Sequence, residues 1–278
     1  MLVFPNCKIN LGLNIIRKRE DEFHDLETIF FPIAFTDILE IITSEHTGVL
    51  HLGGVGHLYV TGLPVEKDEN NLCVKAYNLL KKDFPHLPLI KIHLHKVIPT
   101  GAGLGGGSGD AAFMLKLLNE KYKLKLSDSQ LINYASQLGS DCPFFLINKP
   151  CYATGRGEKL EAINIDLKNY KILIINPAIH IDTKWAFSRI VPRQRKISVK
   201  EIIAQPIETW KEQLQNDFET PVFKSYPEIK KIKEDMYSLG SEYASLSGSG
   251  STVFGIFRKD QPIQIEKTDK YFYKTIDI

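Results

Sequence analysis

The sequence of 278 residues predicts an α+β fold, and three patterns along the chain support this prediction. Residues 6–16 alternate between apolar and polar side chains, which is typical of a β-strand. Apolar residues then recur three and four positions apart behind Asn70 and Asn71, which predicts a helix ending near Asp83. Strands and helices follow one another without the strict βαβ alternation of a doubly wound sheet. The chain is therefore expected to combine antiparallel sheets with helices.

The same two periodicities place the remaining elements in chain order. Further strands are predicted at residues 26–31, 37–42, 89–97, 160–165, 171–177, 251–257 and 271–278. Further helices are predicted from Ala111 to Tyr122, from about Ser127 to Gly139, and within 185–215, 216–223 and 226–239. In residues 6–16 the apolar positions form one face of the strand and Lys8, Asn10 and their polar neighbours the other. We expect this strand to be half-buried.

The composition is that of a soluble globular protein and excludes several functional classes. The chain has 35 Lys and Arg residues against 33 Asp and Glu residues, and no basic block is long enough to follow a nucleic-acid backbone. The N-terminus does not resemble a signal peptide, and no apolar run approaches the roughly 20 residues that span a bilayer. The four cysteines match neither a metal knuckle nor a disulfide framework. We expect a cytoplasmic protein that binds neither nucleic acid nor membranes.

The segment PTGAGLGGGSGDAA, residues 99–112, is the strongest functional signal. Its glycines lack Cβ atoms, so backbone amides can converge on an anion, and the helix that follows adds its positive end. These features predict a loop that binds a polyphosphate. We assign to it Pro99, Thr100, Gly101, Ala102, Gly103, Leu104, Gly105, Gly106, Gly107, Ser108 and Gly109. Asp110 is expected in the first turn of the helix, with a capping role or a metal near the phosphates.

Context separates this loop from three better-known glycine motifs. A Walker A loop would end in GK[ST], and a protein kinase loop would lie between two strands. A dinucleotide-binding loop would be followed by a strand with an acidic end, whereas KYKLKL is short and basic. A flexible linker or tight turn is the structural alternative, but linkers are seldom found between a regular strand and a regular helix. A distinct phosphate loop remains.

The sequence resembles the GHMP kinases. The glycine segment is similar to the PxxxGLGSSAA loop of that family, and further motifs follow in the family's order over nearly the whole chain. These motifs are PNCKINLGLNI, FHDLETIF, GSDCPFF, ATGRGEKL and SLSGSGSTVF. The resemblance implies a two-domain GHMP kinase fold, with an N-terminal domain like domain 2 of ribosomal protein S5 and a ferredoxin-like C-terminal domain.

Glycine and charged residues interrupt two apolar stretches at TGRGEK, residues 154–159, which predicts the domain boundary. On this division residues 1–156 form the N-terminal domain, which binds ATP and carries catalysis. Residues 157–278 form the C-terminal GHMP kinase domain, which contributes to the substrate cleft.

The resemblance also implies a reaction and its catalytic pair. ATP would phosphorylate the 2-hydroxyl of the methylerythritol portion of a cytidine diphosphate derivative, in the non-mevalonate route to isoprenoid precursors. The family's catalytic residues are the lysine of the first strand and the aspartate of GxDxPF, which are Lys8 and Asp141 here. Asp141 would be the general base and Lys8 its electrostatic partner. Taken singly, Lys8 also fits a solvated strand lysine and Asp141 a turn aspartate.

Four residues match the family's substrate-binding positions: Phe23, His24, Thr183 and Phe187. Asn10, on the same strand face as Lys8, is expected to hydrogen-bond the substrate. The alternatives are an edge-strand amide facing water for Asn10 and a surface loop histidine for His24. Phe23 stands where the family has tyrosine, and SGDAA stands for the usual SSNAA, so Gly109 and Asp110 depart from the pattern. Mg²⁺ is expected to be held mainly by ATP, with Ser108 as a candidate ligand and no dedicated metal site assigned. We expect a monomer or weak homodimer.

Two other functions remain open from the sequence. The chain could be another GHMP kinase, such as one acting on homoserine or a sugar. It could also be a nucleotide-dependent sensor that keeps the fold without catalysis, although the presence of both Lys8 and Asp141 disfavours that hypothesis.

Overall fold

The structure, a computed structural model, describes residues 1–44 and 55–278. The strands in these ranges are β1 Leu2–Val3, β2 Asn6–Lys18, β3 His24–Thr36, β4 Ile38–Thr43, β5 Val55–Gly62, β6 Ile90–Lys96, β7 Cys151–Gly155, β8 Lys159–Ala162, β9 Tyr170–Asn176, β10 Tyr243–Leu246, β11 Val253–Arg258 and β12 Phe272–Asp277. The helices are α1 Leu72–Asp83, α2 Gly106–Lys121, α3 Asp128–Leu138, α4 Cys142–Ile147, α5 Thr183–Ser188, α6 Val199–Ile203, α7 Trp210–Gln213, α8 Glu219–Ser225 and α9 Pro227–Ser238. The α+β prediction is confirmed.

Contacts within the chain group these elements into two compact units. The first unit comprises residues 1–7, 35–100 and 105–148, and the second comprises residues 8–34, 101–104 and 149–278. Each unit is therefore assembled from separate stretches of sequence, and the glycine segment contributes residues to both. The division at residues 156 and 157 stays a prediction.

The first unit is a four-stranded sheet packed against α1 to α4. Its strand order is β1-β4-β6-β5, and β5 pairs parallel to β6 while the other pairs are antiparallel. The alternation in β6 is confirmed, because Ile90, Ile92 and Leu94 are buried in the core. Helix α1 begins after Asn71, whose side chain accepts a hydrogen bond from the Cys73 amide at 2.9 Å.

The second unit contains two sheets. One has the order β2-β3-β7-β8, and the other, β10-β11-β9-β12, is antiparallel throughout. The apolar face of β9, from a run of Ile and Leu residues, packs in a core with α8 and α9. That core also takes Leu13 and Ile15 from β2.

Two predictions about individual elements are wrong in a way that matters for function. Strand β2 is buried on both faces rather than half-buried, and even Lys8 and Asn10 are only 3% and 1% exposed. Helix α2 begins at Gly106 and not at Ala111. The second half of the glycine segment is thus the first turn of a helix, while only its first half is irregular.

The four cysteines, Cys7, Cys73, Cys142 and Cys151, are all buried free thiols. In the part of the chain that the structure describes, no helix is both long and apolar enough to cross a membrane.

Candidate active site

The glycine segment combines left-handed turns with a helix start. Gly101, Gly103 and Gly105 have φ values of +64°, +77° and +67°, in the region that glycine adopts without steric penalty. Gly105 is the N-cap of α2, so the unpaired amides of the first helical turn begin directly after it. Such amides and the positive end of the helix dipole form an anion-binding arrangement.

Within the second unit, the irregular part of the segment is held by backbone and hydroxyl contacts. The Lys8 amide donates to the Leu104 carbonyl at 2.9 Å, and the Ser247 hydroxyl donates to the Gly103 carbonyl at 2.8 Å. A Cβ atom on Gly103 would overlap the Ser247 carbonyl oxygen. The small-residue turn at 247–250, within the motif SLSGSGSTVF, therefore fixes the path of the loop.

The predicted catalytic lysine lies beside this part of the segment in a buried hydrogen-bonded row. Lys8 Nζ donates to Asn10 Oδ1 at 2.6 Å, and Asn10 Nδ2 donates to Thr28 Oγ1 at 3.0 Å. The Thr28 hydroxyl in turn donates to the Gly12 carbonyl. Lys8 Nζ also lies 4.9 Å from the centre of the Phe30 ring. The alternatives of a solvated lysine for Lys8 and of a water-facing amide for Asn10 are both wrong, because both side chains are buried.

Within the first unit, the predicted base stands next to a helix that packs on the first turn of α2. Asp141 immediately precedes α4, and the thiol of the next residue, Cys142, lies near the Ser108 hydroxyl of α2. Burial raises the pKa of Cys142 to about 12, so this thiol is neutral. Asp141 lies in a turn and is partly exposed. In this described part of the chain, its side chain makes no capping hydrogen bond to α4.

The prediction for Asp110 is also wrong. It lies in the second turn of α2 and is 3% exposed, and its Oδ2 atom lies 2.8 Å from Lys96 Nζ. Lys96 donates to Asp37 as well, so the three side chains form a buried triad. Burial, together with the Asp37 charge, raises the pKa of Asp110 to about 7 despite the opposing effect of Lys96.

The aromatic residues predicted to bind the cytidine end lie in the second unit, where His24 and Phe187 form one stacked pair and Phe23 contacts an arginine. The His24 ring stacks on Phe187 at 4.9 Å, and the Phe187 ring meets Phe218 edge-on at 4.9 Å. Phe23 is 53% exposed, and the guanidinium of Arg156 lies 4.8 Å from its ring centre. Burial, with a smaller effect from Lys18, lowers the pKa of His24, which favours its neutral form.

Thr183 begins α5, and its hydroxyl lies 3.3 Å from the Ser249 hydroxyl in the turn 247–250. Asn216 supports the same turn, because its side-chain amide donates to the carbonyls of Leu246 and Gly248 at 2.8 and 2.9 Å. The turn is thus connected both to the loop residue Gly103 and to the predicted substrate residue Thr183.

Sequence reasoning missed several residues that build this arrangement: Thr28, Asp37, Lys96, Arg156 and Asn216. Most of them act through contacts between positions far apart in the chain, which no local periodicity shows. One of them carried a usable signal, because Lys96 ends the strand that leads into the loop and lies three residues before Pro99.

The described residues contain no group of three or more His, Cys, Asp or Glu side chains placed to hold a metal ion. Ser108 lies in the first turn of α2, where an oxygen ligand could reach a phosphate-bound cation. A hard cation such as Mg²⁺ typically keeps phosphate and water ligands with few from the protein, which fits this donor set.

Family models match both halves of the chain. The model described as GHMP kinases N terminal domain matches residues 71–149, and that described as GHMP kinases C terminal matches residues 198–268.

Curated relatives match almost from end to end. A protein of Bacteroides fragilis named 4-diphosphocytidyl-2-C-methyl-D-erythritol kinase is 50% identical over 266 residues, covering 95% of this chain and 94% of the relative. A protein of the same name from Bacteroides thetaiotaomicron is 51% identical, covering 94% of this chain and 93% of the relative.

Solved structures agree with these matches. A crystal structure of 4-(cytidine 5'-diphospho)-2C-methyl-D-erythritol kinase superposes with a TM-score of 0.79 at 28% identity, covering 100% of this chain and 99% of the other. A homoserine kinase from Cytophaga hutchinsonii has a TM-score of 0.66 at 17% identity, covering 92% of this chain and 86% of that chain, and shows the shared fold alone.

Proposed function

The chain belongs to the GHMP kinase family, and from that membership we propose that it phosphorylates the 2-hydroxyl of 4-diphosphocytidyl-2-C-methyl-D-erythritol with ATP. The observation that carries this proposal is the 50% identity to a kinase of that name over 95% of the chain. The reaction would be a step in the non-mevalonate formation of isoprenoid precursors.

In the proposed reaction the substrate hydroxyl oxygen forms a bond to the γ-phosphorus of ATP while the bond from that phosphorus to the bridging oxygen breaks. Asp141 accepts the hydroxyl proton, and ADP is the leaving group. Lys8 stabilises the negative charge that spreads over the transferring group. The buried row from Lys8 through Asn10 to Thr28 supports this role, because it orients the ammonium before substrate arrives.

We assign the phosphates of ATP to the segment 99–109. Its left-handed glycines and the open amides at the start of α2 support this assignment, because they provide several donors without side-chain obstruction. Asp141 precedes α4, whose first residue, Cys142, lies near Ser108 in α2, and the Lys8 amide donates to the Leu104 carbonyl. Lys8 therefore contacts this segment directly, and Asp141 is next in sequence to a residue that lies near the helix following it.

We assign the cytidine end to Phe23, His24 and Phe187, with Thr183 and Asn10 contacting other parts of the substrate. An exposed aromatic ring can stack on a nucleobase, and Phe23 supplies such a ring without the hydroxyl of the tyrosine that the family uses. The stacked pair of His24 and Phe187 supplies a second flat surface.

Mg²⁺ would enter with ATP, with the Ser108 hydroxyl as its protein ligand, and would neutralise charge on the β- and γ-phosphates. We further propose a cytoplasmic protein, monomeric or weakly dimeric, that acts without nucleic acid or membranes. Residues 1–156 would carry ATP binding and catalysis, and residues 157–278 would contribute to substrate binding.

The test supplies a panel of acceptors with ATP. ADP release measures the rate of phosphoryl transfer, and ³¹P NMR identifies the phosphorylated product. The cytidine diphosphate substrate should give a phosphate ester at its 2-hydroxyl, while homoserine, mevalonate and galactose give only background. Phosphorylation of another acceptor instead would make the chain a different GHMP kinase. ATP binding without phosphorylation of any acceptor would favour a sensor.

A further inference from the structure

The ends of the predicted nucleotide loop are joined by one buried ion pair. Lys96 is the last residue of β6 and stands just ahead of the segment 99–109, while Asp110 directly follows it. The 2.8 Å contact between Lys96 Nζ and Asp110 Oδ2 therefore links the strand that enters the loop to the helix that leaves it. Both side chains are at most 4% exposed.

A second carboxylate fixes the backbone on the entry side. Asp37 Oδ1 accepts hydrogen bonds from the amides of Val97 and Ile98 at 2.6 and 2.9 Å. Its other oxygen accepts from Lys96 Nζ, so Asp37 holds both the side chain and the two residues that follow it. This carboxylate is fully buried.

Packing keeps the Lys96 ammonium directly against the start of α2. A Cβ atom on Gly106 would lie 2.9 Å from Ile98 Cγ2 and 3.4 Å from Lys96 Nζ. The absence of a side chain at the first residue of the helix thus lets the ammonium approach the turn whose amides face the phosphates. We therefore expect a shift of the Lys96 ammonium to disturb the start of α2.

Burying the three charged groups of the triad costs free energy, because each is removed from water. Two carboxylates share one ammonium away from water, and Asp110 Oδ1 has no hydrogen-bond partner among the described residues. Buried ion pairs are often no more stabilising than apolar residues of similar size, so such a group suggests a requirement other than stability.

We propose that Asp110 and Asp37 act through Lys96 as positioning residues that hold the nucleotide loop in its ATP-binding conformation. This inference rests on the proposed binding of ATP phosphates by residues 99–109. Disruption of this triad should weaken ATP binding. Affinity for the cytidine substrate, which we assign to other residues, should not change.

The test compares Asp110→Ala, which removes one of the two carboxylates that accept from Lys96, with Asp110→Asn, which keeps a side chain of similar shape with one acceptor oxygen. Calorimetric titration should show ATP affinity falling about tenfold in Asp110→Ala, or about 1.4 kcal/mol, and staying within roughly a factor of two of wild type in Asp110→Asn. KM for ATP should rise in parallel in Asp110→Ala, with KM for the cytidine substrate unchanged.

Leu118→Ala is the matched control, because Leu118 is buried in α2 three turns beyond the loop. It should lower thermal stability without changing ATP affinity. Equal changes in ATP affinity for Asp110→Ala and Leu118→Ala, or affinity losses for ATP and the cytidine substrate alike, would show a merely structural role and overturn the inference.

Should Asp110→Ala fail to fold, Asp37→Asn changes the other carboxylate of the triad. This variant should weaken ATP binding about threefold. Wild-type affinity in that variant would also overturn the inference. Failure of the proposed function is distinguishable, because the wild-type protein would then bind no ATP or phosphorylate no cytidine substrate.

Discussion

The ammonium of Lys8 lies 2.6 Å from the side-chain oxygen of Asn10, and both residues are buried on the same face of β2. Residues two apart on a strand share a face, so the pairing follows from the strand itself. Asn10 cannot turn freely, because its amide is engaged by Thr28. The position of the Lys8 ammonium is thus set before any substrate binds.

Lys8→Met should lower kcat at least a hundredfold, because it removes the positive charge proposed to stabilise the transferring phosphoryl group. KM for the cytidine substrate should change much less than kcat. Steady-state kinetics checks both values. Lys168→Met is the control, since Lys168 is 73% exposed and should give wild-type rates. A Lys8→Met enzyme with near-normal kcat would remove Lys8 from catalysis.

Asp141→Asn should lower kcat by about a hundredfold to ten-thousandfold, because the amide cannot accept the hydroxyl proton. ATP affinity measured by calorimetric titration should stay close to wild type. Asp166→Asn provides the comparison, because Asp166 is 65% exposed and pairs with a surface lysine. If Asp141→Asn turned over at nearly the normal rate, the base would have to be another group.

Phe23→Ala should raise KM for the cytidine substrate by about tenfold, since stacking of a base on an aromatic ring contributes roughly 1–3 kcal/mol. KM for ATP should not change. Phe4 is equally exposed, at 53%, so Phe4→Ala controls for the loss of a surface aromatic ring. Phe23→Tyr should retain or improve affinity. Equal KM values for Phe23→Ala and wild type would exclude Phe23 from the substrate site.

The pH dependence of folding should report Asp110. Burial raises the pKa of this carboxyl from 3.8 to about 7 in the folded protein. The folded state then binds the proton more tightly than the unfolded state, so this group's contribution to stability is lost as pH rises from about 4 to about 7. Asp110→Asn removes that titration.

Urea unfolding of wild type and Asp110→Asn between pH 4 and 8 measures the effect. The free energy of unfolding of wild type minus that of the variant should fall with pH and level off above about pH 7. The charged neighbours Lys96 and Asp37 and the thiol of Cys73 are present in both proteins. A difference that does not vary with pH would contradict the raised pKa.

Removal of divalent cations should abolish phosphoryl transfer. The segment 99–112 contains no lysine to neutralise the β- and γ-oxygens, so a metal ion bound to ATP is expected to supply that charge. ADP release in excess chelator should fall to background and return when Mg²⁺ is added above the chelator concentration. Undiminished turnover in excess chelator argues against this requirement.

The sequence indicated the regular elements and the loop better than it indicated their environment. Alternation located β2 and β6 correctly, because side-chain period is a local property. It did not show that the polar face of β2 is covered as well. That face is satisfied by partners from elsewhere in the chain, such as Glu27, whose carboxylate accepts from Asn14 at 2.8 Å and from the Val199 amide at 3.2 Å.

The start of α2 was misplaced for a different reason. Glycine is a poor helix former, so a run of glycines predicts irregular backbone. Gly109 is helical nevertheless. Close packing, which the sequence does not display, explains why it is glycine, because a Cβ atom there would lie 2.6 Å from the Asn6 carbonyl oxygen. Since α2 begins at Gly106, Asp110 lies in its second turn rather than in its first.

The four buried cysteines allow local unfolding of the protein to be followed by thiol labelling. Only a thiolate reacts rapidly with alkylating reagents, and burial raises the pKa of Cys73 and of Cys151. Each thiol should therefore be modified only during a transient excursion that exposes it. Cys73 lies in α1 and Cys151 in β7, so their separate labelling rates would time the local unfolding of the two units without any introduced probe.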